Sequence, residues 1–153
     1  MSWIDEEFKK REQAEEERQK RMAEEAARER ALSDVVLPAW QRLATVIRAD
    51  IERFNKHSIK RVWTSVTDTA LQVQWEGEND FLLVLELDAP NQRIVYSAPA
   101  QPPHEWKTHA GSISIRTHDG VPALFAKTKP SSSEQLLSYE AVSELILRAV
   151  LFR

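Results

Sequence analysis

Phe81-Leu82-Leu83-Val84-Leu85-Glu86-Leu87 holds six apolar residues in seven positions. Turn formers bound it: Gly77, Asn79 and Asp80 before, Asp88, Pro90 and Asn91 after. A run this short and apolar between turns reads as a strand buried on both faces. Such a strand is the centre of a sheet, so the chain on either side must supply neighbours and a cover.

The neighbours are legible as period-two patterns. Residues 62–66 and 69–75 read as strands; in the second, Leu71, Val73 and Trp75 share one face and Ala70, Gln72 and Gln74 the other. Residues 93–97, 112–116 and 121–127 follow in the same style. Asp119-Gly120 between the last two is a hairpin signal. Pro122 has no N–H to give a ladder and predicts that its strand is an edge. Short turns between consecutive strands predict an antiparallel meander of about five to six strands.

The cover comes from two helical stripes. Trp40, Leu43, Ile47, Ile51 and Phe54, with Val36 and Ala44 beside them, place one face of a helix over 36–55 against the core. Leu136, Leu137, Val142, Leu145, Ile146, Ala149 and Val150 do the same for a helix over 134–151, with Ser131 or Ser132 opening a capping box. Both helices are expected on the sheet face that carries Leu71, Val73, Phe81, Leu83, Leu85, Ile94, Tyr96, Ile113, Ile115 and Phe125. The opposite face, with Leu82, Val84, Val95, Leu124 and Ala126 among Gln, Ser and Glu86, is half apolar. The fold class is α+β.

In front stands a different kind of segment. Residues 4–32 contain no Gly or Pro and are rich in Glu, Lys, Arg, Ala and Gln, all good helix formers. Acid-to-base pairs four residues apart support a helix: Asp5–Lys9, Glu6–Lys10, Glu7–Arg11, Glu16–Lys20, Glu17–Arg21 and Glu24–Arg28. Apolar side chains are sparse, Trp3, Ile4 and Phe8 at one end and Met22, Ala23, Ala26, Ala27 and Leu32 at the other, with only Ala14 between Glu12 and Arg21. The middle is expected to be largely solvated, or packed against another polar surface. Ser33, Asp34 and Pro38 predict a break or kink. The domain reading is a charged helix over 1–32 and an α+β body over 33–153.

Totals narrow the function. The 153 residues fit one domain, and a net charge of -3 creates no global field for nucleic acid or membranes. Without Cys there are no disulfides, thiolate metal sites or Cys nucleophiles. No apolar run approaches the roughly 20 residues of a membrane span. The dense charge after Trp3 and Ile4 is unlike a secretory signal, which leaves the cytoplasm as the expected compartment. Gly77, Gly111 and Gly120, the three Gly residues, are expected in turns, which excludes a Gly-rich phosphate loop.

Motifs for chemistry are weak. His104 and His109 flank Glu105-Trp106-Lys107-Thr108, but a helical metal pair needs i,i+4 spacing, and Pro102, Pro103 and Gly111 make this a loop. No metal or cofactor is expected. The connection over 98–111 is the longest in the sheet, which makes His104, Trp106, Lys107 and His109 candidates for contact with a small ligand. His118 and Asp119 share a hairpin tip, where neighbours point apart into water. Arg42, Arg48, Arg53, Lys56, Lys60 and Arg61 stand against only Asp50 and Glu52, so helix 36–55 has a basic outer face open to a polyanion. It lacks the aromatic interleaving of an RNA platform.

The reading that follows is a non-enzymatic interaction or assembly module. It presents the charged helix and the half-apolar sheet face to a protein partner or to a second copy as a homodimer, with Leu82, Val84, Val95 and Leu124 as contacts. Nucleic-acid or polyanion binding through helix 36–55 is the alternative, and small-ligand binding at 98–111 the second alternative.

Overall fold

A computed structural model describes residues 2–99, 109–128 and 133–152. The unbroken run of helix formers builds α1, a helix of 29 residues over Trp3–Ala31. Ser2 caps it, its Oγ accepting from the Ile4 N–H at 3.2 Å. The break expected near Pro38 is absent. Leu32–Val36 forms a π-helical turn, closed by Leu37 N–H donating to the Leu32 carbonyl, and α2 continues over Leu37–His57. In an α-helix the Pro38 ring would press on the carbonyl four residues back, that of Asp34. A turn widened to i→i+5 bonds takes the chain past that conflict without leaving the helix.

After α2 comes a seven-stranded antiparallel meander: β1 (Val62–Val66), β2 (Ala70–Trp75), β3 (Leu83–Asp88), β4 (Arg93–Ala98), β5 (His109–His118), β6 (Val121–Lys127) and β7 (Glu134–Leu137). Strands pair in sequence order, so β4 is the middle strand and the apolar run at 81–87 supplies the third. That run is buried on one face only. Leu83 and Leu85 are inside, Val84 is half-buried, and Glu86 and Phe81 are exposed. Leu82 bends inward ahead of the strand, its N–H donating to the Val73 carbonyl at 2.7 Å.

The strand beyond the expected count is β7. Residues 134–137 read as the opening of the last helix; they pair with β6 instead, from Leu124↔Leu137 to Lys127↔Glu134. The helix α3 starts later, over Tyr139–Leu151, and its cap is Ser138, whose Oγ accepts from the Ala141 N–H at 3.0 Å. Pairing with β6 overrides the helix propensity of Glu-Gln-Leu-Leu. It also moves β6 off the edge. Pro122 fits there because it pairs only with Thr117: β7 spans Lys127 back to Leu124, ending with Leu137 opposite Leu124, and stops short of the proline.

Register corrects the expected faces. Asp119 and Gly120 both take positive φ, 51° and 80°, the signature of a two-residue hairpin turn. That turn sets His118 opposite Val121, so Ile115 faces Leu124 and Ser114 faces Phe125. Leu124 and Ala126 therefore lie in the core at 0% and 2% exposure, while Phe125 sits on the open face. Gly111, expected in a turn, is within β5 opposite Tyr96. A Cβ at Gly111 would come 2.6 Å from the Tyr96 hydroxyl, so the bare backbone gives the ring its place.

One core results, between the sheet and a layer made of α2, α3 and the π-turn residue Val36. The α2 stripe is buried as expected, with Ala39 added and Phe54 only half-buried. In α3 the buried residues are Tyr139, Val142, Ser143, Ile146, Leu147 and Val150, so Leu145 and Ala149 turn further outward than expected. Among the described residues no helix is long and apolar enough to cross a membrane.

Candidate functional site

The arm α1 is the first candidate surface. None of its residues is buried, and every residue from Ser2 to Arg30 is exposed. At about 1.5 Å per residue it is roughly 43 Å long. A helix polar on nearly every side bridges solvent or meets a partner; it has no core of its own to join. Its apolar residues are bare: Trp3 is 76% exposed, Phe8 61%, Met22 58% and Ile4 47%. None of the six expected i,i+4 pairs is closed among the described residues. The ion pair within α1 is Arg18 Nη2 to Glu15 Oε1, 2.7 Å and i,i+3. The Arg18 hydrogen bond and charge hold the Glu15 carboxyl below its ordinary pKa.

The open sheet face is less apolar than expected. Of the four contacts assigned to it, Leu82 and Leu124 lie in the core. Val84 is half-buried and Val95 is 38% exposed. Phe125 joins them but is covered by its neighbours. The Arg116 guanidinium lies 4.2 Å from its ring centroid, and Arg116 is ion-paired with Glu134, which also accepts from Ser114 Oγ at 2.8 Å. That network uses β7, and sequence reasoning misses it because 134–137 reads as helix.

A cleft of about 690 Å³ runs between α2 and α3. Phe54, Leu147, Leu151 and Phe152 give it apolar walls, and Asp50, Arg53, His57, Glu140, Glu144 and Arg148 a polar rim. Much of the rim is already partnered. Ser143, fully buried, donates from Oγ to Asp50 Oδ2 at 2.6 Å, and Arg148 pairs with Glu144 at 2.5 Å. A polar residue inside the α3 apolar stripe is the sequence signal for the Ser143–Asp50 link.

The other sequence candidates are dispersed. Of the loop set, His104, Trp106 and Lys107 lie outside the described residues. His109 opens β5, half-buried, with its ring centroid 5.2 Å from that of Tyr96. The basic set is not one free surface. Arg42 lies 4.4 Å from the Tyr139 ring centroid; Lys60 pairs with Glu78 at 2.6 Å and stands 5.0 Å from the Trp75 ring centroid. Arg53 lines the cleft, and Arg48, Lys56 and Arg61 are exposed. His118 and Asp119 approach to 3.4 Å rather than pointing apart, but the Asp119 side chain is 90% exposed and the pair stands in water.

Titration follows the packing. Burial pushes the Tyr96 phenol above its ordinary pKa. Burial also raises Tyr139, against the pull of the Arg42 charge. Hydrogen bonds from Asn91 and Arg93, each 2.9 Å, hold Asp88 below the usual carboxylate range at the β3–β4 turn. Among the described residues no group of three His, Asp or Glu side chains could hold a metal ion. No protein-family model, curated protein or solved structure matches the chain.

Proposed function

We propose that the protein is a non-enzymatic interaction or assembly module whose contact element is α1. The observation that carries this reading is a 29-residue helix with no buried residue, joined to the body through an unbroken π-helical turn. The charged middle keeps the helix extended in water, and Trp3, Ile4 and Phe8 give its far end apolar area to bury on a partner. Because α1 continues into α2 without a break, its tip is held away from its own sheet, and another molecule must cover it. The sheet face is the weaker surface, since Leu82 and Leu124 turn inward and Phe125 is occupied by Arg116.

The test uses a photo-crosslinking amino acid at Phe8, with one at Thr45 on the exposed side of α2 as control. Protein adducts at position 8 that are absent at position 45 are the expected result. Equal labelling at both, or none at position 8, overturns the reading.

A further inference from the structure

Along α1, Ile4, Phe8, Arg11, Glu15, Arg18 and Met22 recur at alternating spacings of four and three, the spacing of a helix–helix seam. The Arg18–Glu15 ion pair at 2.7 Å shows two neighbours of this stripe on one face. Read in reverse, the stripe complements itself. In a two-fold antiparallel pair centred near residue 13, Ile4 meets the second copy's Met22 and Phe8 meets its Arg18. Arg11 meets its Glu15, and each contact occurs twice.

We infer that the partner of α1 is a second copy of the same helix, packed antiparallel in this register, an inference that rests on the reading of α1 as the contact arm. Charge selects the orientation. A parallel pair would set Arg11, Glu15 and Arg18 each against its own copy, three like-charge contacts in the seam. The antiparallel pair replaces them with two Arg11–Glu15 pairs and two placements of Arg18 over a Phe8 ring. On one flank Glu7 faces the second copy's Arg21, and Ala14 faces Ala14 across the axis, small enough for close approach. On the other flank Glu12 meets Glu12, the single like-charge contact.

The polar centre costs affinity and pins the register, as one polar seam position does in a coiled coil. The interface is isologous and therefore closes at two copies. The overlap of residues 4–22 spans about 28 Å, and the bodies, entered at Val36, stand about 70 Å apart on opposite sides of the axis. They do not collide.

The chain has no Cys, so introduced thiols are unique. Differently tagged full-length chains carrying Ile4→Cys and Met22→Cys are mixed and oxidised. The expected product is the mixed 4–22 disulfide; 4–4 and 22–22 products without it overturn the register. Sedimentation over a concentration series should show an elongated dimer. Arg11→Glu or Glu15→Arg alone should raise its dissociation constant about tenfold, and the double exchange should restore it, since each reversal sets like charges at two symmetric contacts. All four substituted positions are exposed, so none removes core packing. Failure of the double exchange to restore pairing overturns the inference, as does a monomer at every concentration. A monomer whose position 8 still crosslinks to another protein overturns self-pairing and leaves the contact-arm reading standing; no adduct at position 8 removes both.

Discussion

Asn55, near the end of α2, stands in for a missing strand. Its Nδ2 donates to the Val62 carbonyl at 2.9 Å, and the Val62 N–H donates to its Oδ1 at 2.8 Å. β1 is an edge of the sheet. Glu76 N–H donates to Arg61 O and Thr67 N–H to Ala70 O, so residues 61, 63, 65 and 67 form the hydrogen-bonded pairs with β2. The backbone groups of Val62, Thr64 and Val66 therefore point away from β2, and the Asn55 amide satisfies the first of them. Val62 itself is 2% exposed, so water is a poor substitute there. Asn55→Ala leaves one donor and one acceptor unpaired. At about 1–3 kcal/mol for each, moderated by partial access at the edge, the expected loss is about 2–4 kcal/mol, read from urea midpoints.

Asn55→Asp adds a sign. A carboxylate still accepts from the Val62 N–H but faces the Val62 carbonyl with no proton to donate; the protonated acid restores that donor. Its folded pKa is therefore raised above the ordinary value of about 3.9. The stability it contributes is fully present below the unfolded pKa and is lost as pH rises through the folded one. Measured against wild type at each pH, the deficit should widen from about pH 4 to about pH 7. Two results would refute the reasoning: an Ala variant within about 0.5 kcal/mol of wild type, or an Asp deficit that narrows as pH rises.

Gly111→Ala places a Cβ 2.6 Å from the Tyr96 hydroxyl and 2.8 Å from its Cζ, and should cost about 1–3 kcal/mol in urea unfolding; an unchanged midpoint would show that the ring moves aside freely. Removal of residues 2–31, none of which is buried, should leave a cooperative transition within about 0.5 kcal/mol of the full chain. A broad, non-cooperative transition would mean that α1 supports the core. The two tyrosines, Tyr96 and Tyr139, both raised by burial, should ionise later in the folded chain than in urea. Their contribution to stability is complete below about pH 10 and falls as pH climbs through the higher folded values. Phenolate absorbance rising at the same pH with and without urea would contradict their burial.

Elements whose pattern lies within a few residues are legible in the sequence by itself. The stripe Trp40, Leu43, Ile47 and Ile51 declares one helix face, and all four are buried. Alternation declares β2 and β4, and Asp119-Gly120 declares its own turn because both residues tolerate positive φ. The charged helix reads as solvated because Glu12 to Arg21 offers only Ala14 to bury.

What tertiary structure alone decided is everything that depends on a partner far along the chain. Whether Leu124 or Phe125 faces the helices follows from pairing across a two-residue turn, where a one-residue error exchanges the two faces. Glu134–Leu137 has the propensity of a helix and becomes a strand because the edge of β6 is there to pair with. Gly111 reads as a turn until Tyr96 lies across it. Pro38 reads as a break until a π-helical turn, held by Val36 in the core, carries the helix past it. Local sequence specifies period and propensity; register and the identity of the covering surface are non-local, and only the packed chain supplies them.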